Sequence, residues 1–169
     1  MSMDSVCPHN NTFHCGDCRM NALCLPLALQ TKEVERLDEI IQRGKPLQKD
    51  HHIYHAGEEF DSVFAVRSGS IKSYTISNSG QEQVTGFHLP GEIFGMDGIG
   101  QNRYTNSAVA METSSVCEIP FNRLQELSIA IPTLQRHFFQ LMSLEITGDQ
   151  QLLSLLSKNT AEERVATLL

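Results

Sequence analysis

The chain has 169 residues, 40% hydrophobic and 20% charged, with 13 Lys and Arg against 20 Asp and Glu for a formal net charge of −7. That balance suits one globular domain with a core and an appendage, and it offers no basic footprint for nucleic acid, whose phosphates need clustered Lys or Arg. Polar residues 1–11 lack a signal-peptide core and no apolar run is long enough to span a bilayer, so membrane insertion and export are excluded as expectations and the cytoplasm is the expected compartment.

Residues 1–30 read as a loop-like segment carrying Cys7, Cys15, Cys18 and Cys24 and ending in Leu25-Pro26-Leu27 and Leu29. Five cysteines, an odd count without an export signal, argue against a disulfide framework and for metal or redox chemistry. The run Cys15-x2-Cys18-x5-Cys24 lets a short loop wrap three sulfurs around one centre, and Cys117 offers a distant fourth. Structural zinc favours two tight pairs, whereas iron–sulfur proteins commonly join a compact run to a remote cysteine. Cys117, within Ser115-Val116-Cys117-Glu118-Ile119, also reads as a plain core thiol on a strand. Spacing therefore leaves iron–sulfur, zinc and unligated thiols open, with Cys7 a bystander.

An amphipathic helix follows, with Thr31 as N-cap, Val34, Leu37, Ile40 and Ile41 at helical spacing, and Gly44 and Pro46 as its stop. From about 47 to 119 short β-rich runs alternate with glycine turns: Phe64 to Val66, Ile71 to Ile76, a turn at Asn78-Ser79-Gly80, Val84 to Leu89, then strands near 107–112 and 115–119. Many short strands at this spacing predict a β-sandwich or jelly roll.

Two other sites compete within this region. His51, His52 and His55, with Glu58 and His88, resemble the metal set of cupin enzymes, but strand parity sets His52 opposite to His51 and His55, so strand-edge histidines are the reading adopted. The turn Gly91-Glu92-Ile93-Phe94-Gly95, followed by Arg103, resembles a phosphate-binding cassette of cyclic-nucleotide domains. A cyclic phosphate needs an arginine and a hydroxyl beside backbone N–H groups, and the segment after it is glycine-rich rather than helical. A structural glycine turn is the reading adopted.

Leu134 to Leu156 predicts a helix of about 34 Å with two apolar stripes. Leu134, Phe138, Leu141, Leu152 and Leu155 form one, interrupted by Glu145 and Gly148. Phe139, Met142, Ile146, Asp149, Leu153 and Leu156 form the other, a heptad seam with a carboxylate in its middle. One stripe can cover the barrel; the other needs a partner, most simply a second copy. In a parallel pair Asp149 would face Asp149, a repulsion that keeps association marginal and switchable, with Ile146 one turn earlier covering it or adding apolar burial. Finally, Thr160-x-x-Glu163 is a capping-box pattern opening a helix with Val165, Leu168 and Leu169, and its abrupt end suggests a further domain. The expected organisation is a cysteine segment at 1–30, a jelly roll with flanking helices at 31–133, a dimerisation helix at 134–157 and the start of a linking helix at 158–169. No nucleophile–base pair, P-loop or dinucleotide fingerprint is visible, so no enzyme is expected.

Beyond the cysteine spacing, Arg67-Ser68-Gly69-Ser70-Ile71-Lys72-Ser73-Tyr74, Val84-Thr85-Gly86-Phe87-His88-Leu89, Val116-Cys117-Glu118-Ile119-Pro120-Phe121, Gly148-Asp149-Gln150 and Leu155-Leu156-Ser157-Lys158-Asn159 are specific. From His14 to Leu169 the chain resembles the FNR-type (fumarate and nitrate reduction) oxygen-sensing regulators of the cyclic-AMP receptor superfamily. The resemblance implies a mainly β, α+β fold: a double-stranded β-helix like that of cyclic-nucleotide-binding domains, with a long C-terminal dimerisation helix. It implies that Cys15, Cys18, Cys24 and Cys117 ligate a 4Fe–4S cluster, that oxygen converts this to a 2Fe–2S form, and that the intact form favours a homodimer. It also points to Ile146 and Asp149 as dimerisation determinants. DNA, through a helix-turn-helix domain, and RNA polymerase would be partners of the full-length protein only. Arg19, directly after the second cluster cysteine, stands where relatives often have a small residue. A cyclic-nucleotide-binding or zinc-binding regulatory module without oxygen sensing is the alternative.

Overall fold

The computed structural model describes residues 14–18, 24–25 and 29–157. Cys7, Arg19 and the linking-helix segment 158–169 lie outside the described residues. Cys15–Asp17 make one 3₁₀ turn, and α1 spans Thr31–Ile40. Its N-cap is Gln30 rather than Thr31, and the Glu33 carboxylate accepts the Gln30 N–H at 2.9 Å, half of a capping box. Leu37 is fully buried on its inner face. The helix stops before Gly44 because Gln42–Arg43 leave it to form strand β1.

Seven further strands follow: β2 (His52–Tyr54), β3 (Ser62–Ser68), β4 (Ile71–Ile76), β5 (Glu82–His88), β6 (Ile93–Phe94), β7 (Ser107–Ala110) and β8 (Ser115–Pro120). They pair antiparallel in two four-stranded sheets, ordered β1-β8-β3-β6 and β2-β7-β4-β5, the two layers of a jelly roll. In β3 every residue from Ser62 to Val66 is buried, as a strand covered on both faces must be, whereas β5 lies at a sheet edge and exposes Val84 and Phe87. The β3–β4 turn needs Gly69: its φ is +81°, and an added Cβ would come within 2.8 Å of the Ser114 Cα.

Between the layers the core is aromatic. Tyr54 stacks on Tyr104 at 3.8 Å, flanked by Phe60, Phe64 and Phe94, and the buried Tyr104 hydroxyl donates to the Ser62 carbonyl at 2.6 Å, which keeps the polar tip satisfied. Leu25, fully buried, joins this core from the cysteine segment.

After β8 the chain enters α2 (Phe121–Ala130) and, past extended Ile131, α3 (Pro132–Leu156). Helix α3 starts two residues before the expected Leu134, with a proline in its first turn where a missing N–H costs nothing. Its inner stripe holds Leu134, Phe138 and Leu155 buried and Leu141 half-buried. Leu152 departs from the expectation at 42% exposure, although Leu155, one turn on, is buried.

Candidate functional site

Cys117 sits in β8, directly opposite Arg43 of β1 on one side and Ala65 of β3 on the other. The turn bearing Cys15 reaches the β1–β8 pair through one carboxylate. Asp38 of α1 accepts the Cys15 backbone N–H at 2.7 Å, the His14 Nδ1–H at 2.7 Å and the Arg43 guanidinium at 2.5 Å. The same guanidinium donates to Cys15 Sγ at 3.3 Å. Cys24 is half-buried against the core beside Leu25.

The four described cysteines, Cys15, Cys18, Cys24 and Cys117, are free thiols. Burial pushes Cys15 up to about 12, with the Asp38 contact adding and Arg43 opposing. Burial likewise pushes Cys24 up to about 12, against a hydrogen bond from the Leu25 N–H, and the charges of Cys117 and Cys18 raise it further. Cys117 is raised by burial, against the Arg43 charge, and Cys18 adds to the rise. Cys117, from the far end of the barrel sequence, is thus within electrostatic reach of Cys15, Cys18 and Cys24. For Asp38, burial alone would raise the carboxyl, but the bonds from His14, Cys15 N–H and Arg43 outweigh it and hold it at about 2. Among the described residues no three His, Cys, Asp or Glu side chains already stand in metal-binding geometry. The chemistry of the donor set nonetheless suits a soft centre: four sulfurs, little water and one cation, a combination that favours iron–sulfur or zinc over hard ions. Asp38 and Arg43 carry no motif of their own. Only the β1–β8 register, which spacing cannot reveal, brings Arg43 to Cys117.

The competing sites resolve differently. His52 and His55 stack at 4.4 Å, so the parity argument that separated His52 from His55 fails: the β2–β7 register shifts between His52 and Tyr54, and β2 ends there. Each is then occupied, His52 Nε2 with the Tyr74 hydroxyl at 2.7 Å and His55 with Glu58 at 2.9 Å. His88 turns inward onto Phe94, its Nε2 2.6 Å from the Ser73 hydroxyl, and burial lowers its pKa. Arg103 bonds the Gly57 carbonyl at 2.7 Å. The donors able to cradle a phosphate lie just beyond it and are already engaged. One oxygen of Asp97 accepts the Thr105 N–H (2.9 Å), the Thr105 hydroxyl (2.8 Å), the Asn106 N–H (2.9 Å) and the Asn106 amide (3.1 Å). These donors are thus already taken by an internal carboxylate.

On α3 the outer stripe is open. Phe139, Ile146, Leu153 and Leu156 are 56%, 58%, 66% and 55% exposed, and Asp149 lies among them. Met142 differs from its neighbours in the seam by being half-buried against the core. It lines, with Phe139, Phe138, Leu124 and Ile129, an apolar cavity of about 350 Å³ between α2 and α3. The described residues contain no helix long and apolar enough to cross a membrane.

A family model described as the cyclic nucleotide-binding domain matches residues 44–129. The chain is 53% identical over 156 residues to the transcriptional activator protein Anr of Pseudomonas aeruginosa, covering 92% of this chain and 64% of that protein. It is 50% identical over 157 residues to the fumarate and nitrate reduction regulatory protein of Escherichia coli K12, covering 93% of this chain and 63% of that protein. Among solved structures, the catabolite activator protein of Thermus thermophilus shares the fold with a TM-score of 0.68 at 24% identity, over 79% of this chain and 62% of that one. The chain spans just under two thirds of the length of these relatives.

Proposed function

This chain belongs to the CRP/FNR family of transcription regulators, in its FNR/Anr branch, and we propose that it is the sensory and dimerising part of an oxygen-responsive activator in which Cys15, Cys18, Cys24 and Cys117 hold a 4Fe–4S cluster. The observation that supports this reading is geometric: Arg43 stands opposite Cys117 in the β1–β8 register and donates to the Cys15 sulfur at 3.3 Å, so cysteines from two distant stretches of sequence meet at one side chain, with Cys24 half-buried against the core. When bound, the cluster supplies the oxygen-reactive chemistry that makes the protein a sensor. The chain's own part is to present the sulfurs, to keep water from them and to couple their arrangement to α3. Raised thiol pKa values mean that the empty site holds its protons and yields them to a metal, so burial suits the cysteines to be filled rather than to react.

The second half of the reading is association. A single chain leaves the seam of Phe139, Met142, Ile146, Asp149, Leu153 and Leu156 largely in water, and a second copy in parallel register would cover it. Asp149 opposes that pairing, so a modest push from the cluster end changes the dimer population substantially. Contacts with DNA and with RNA polymerase belong, in this proposal, to the full-length protein in the cytoplasm. No catalytic role is assigned.

The deciding experiment is purification without air, with iron and acid-labile sulfide counts followed by size measurement before and after oxygen. The expected result is about four irons and four sulfides per chain, brown protein, and a dimer that dissociates on exposure to air. Colourless protein with one tightly held zinc, indifferent to air, would overturn the proposal in favour of the zinc alternative.

A further inference from the structure

We propose that Asp38 and Arg43 form a metal-independent latch, in which Asp38 docks the Cys15 turn through its backbone and Arg43 holds the Cys15 sulfur beside Cys117, so that half of the ligand set is gathered before any metal arrives. The inference rests on the cluster reading above and assigns to it two positioning residues.

The latch closes mainly through atoms a metal would not claim. Asp38 takes a backbone N–H, a histidine N–H and a guanidinium; the contacts to ligand sulfurs are those of Arg43 to Cys15 Sγ and to Cys117, and that of the Cys15 thiol to Asp38. The backbone, histidine and guanidinium bonds to Asp38 therefore neither require the metal nor compete with it, while the thiol contact is given up when Cys15 loses its proton. Nor is this a surface ion pair of little consequence: the Asp38 and Arg43 side chains are only 15% and 16% exposed. Each end is anchored independently. Arg43 is fixed by the β1–β8 ladder opposite Cys117, and Asp38 follows the fully buried Leu37 on α1. Leu25 buries the other limb of the segment in the core beside Cys24. Cys15 and Cys24 thus approach the sheet edge on two separate tethers, with Cys18 between them.

Two consequences follow. Docking the turn in advance removes part of the closure entropy that metal binding would otherwise have to overcome, which speeds assembly. A guanidinium N–H directed at a ligand sulfur also favours the more negative state of a bound cluster, which raises its reduction potential. A carboxylate that merely stabilised α1 would produce neither effect.

The test begins with metal-free protein, where amide hydrogen exchange is followed at Cys15. Strong protection is expected in the wild type, loss of it in Asp38→Ala, and partial retention in Asp38→Asn, whose amide oxygen still accepts. Reconstitution with iron and sulfide without air should then be about tenfold slower in Asp38→Ala. Arg43→Leu should shift the cluster potential to a more negative value, and Arg43→Lys should restore part of the shift. Thermal unfolding of the barrel serves as the folding control. A Cys15 amide that exchanges in the wild type as fast as an unprotected loop, or an Asp38→Ala protein matching the wild type in exchange and assembly, overturns the latch. If the wild type takes up no iron and sulfide, the cluster reading fails instead, while exchange in metal-free protein still decides whether Asp38 docks the turn.

Discussion

The cysteine edge of the first sheet and the outer face of α3 are both incomplete in a single chain, and they are incomplete in different ways. Beside the β1–β8 pair the polar groups are satisfied, since His14 and Arg43 both bond Asp38, and what remains open is the thiols, with burial holding the protons of Cys15, Cys24 and Cys117 on. On α3 the opposite holds. Apolar side chains, more than half exposed in four of the six seam positions, stand in water around one carboxylate. In the proposed reading the first region takes an inorganic centre and the second takes apolar area. The proposed sensor needs both, because its input must bind tightly and specifically while its output must stay close to balance.

The sharpest way to break that comparison is to remove the sulfur that belongs to the barrel. Cys117→Ala should abolish cluster uptake, with iron and sulfide falling from about four per chain to near zero. The barrel should still fold, since a half-buried thiol on a strand contributes little packing that alanine cannot tolerate. Circular dichroism alongside metal analysis checks both halves of the statement. Retained iron would show that the fourth ligand is elsewhere.

Two substitutions in the seam should act in opposite directions. Leu153→Asp places a charge where each chain would bury about 1.5–3 kcal/mol of leucine, and the symmetric pair doubles the loss, so the dissociation constant should rise by at least ~100-fold. Asp149→Ala removes a like-charge contact and should tighten the dimer about tenfold, even in air. Sedimentation equilibrium with and without oxygen measures both. A monomeric Asp149→Ala protein would mean that the seam does not pair in the proposed register.

The two regions were also unequally legible. Strand β4 falls on Ile71–Ile76 as the alternation and glycine turns indicate, and the α3 seam is readable because helical spacing is a local property of the chain. The cysteine run is local too, which is why residues 15–24 announce a site. Its surroundings are not. Arg43 meets Cys117 through cross-strand register, and Asp38 meets Cys15 across a gap of 23 residues. Neither relation leaves a periodicity. Spacing alone kept zinc and unligated thiols open; the resemblance, rather than geometry, supplied the role of Cys117. The histidines failed for a related reason: parity presumes an unbroken strand, and the register shift after His52 brings it onto His55.

A smaller effect separates this fold from its cyclic-nucleotide relatives. Asp97 engages two backbone N–H groups, a hydroxyl and an amide through one oxygen, so cyclic nucleotides should leave the unfolding temperature of the wild type unchanged. Asp97→Ala orphans those donors and should cost about 1–3 kcal/mol. Differential scanning calorimetry with cyclic AMP and cyclic GMP reads both. A rise in unfolding temperature with nucleotide in the wild type would revive the alternative reading of the turn.

The smallest expected effect concerns the carboxyl that lies between barrel and seam. Glu145 is raised to about 7, by desolvation first and then by the charges of Asp149 one turn on and Asp97 on the barrel. A carboxyl raised on folding binds its proton more tightly in the native state, so its contribution to stability is full at acid pH and is lost as pH climbs through about 7. Raising the pH from 6 to 8 should therefore destabilise the wild type relative to Glu145→Gln. Because the residue is exposed on the helix surface, its desolvation is partial and solvent screens the charges, so the difference should stay within about 1 kcal/mol, or roughly 2–4 °C in unfolding temperature. Parallel melting curves for the two proteins across that pH range would reveal it. Superimposable pH profiles would mean that this carboxyl is neither desolvated on folding nor pressed upon by Asp149 and Asp97.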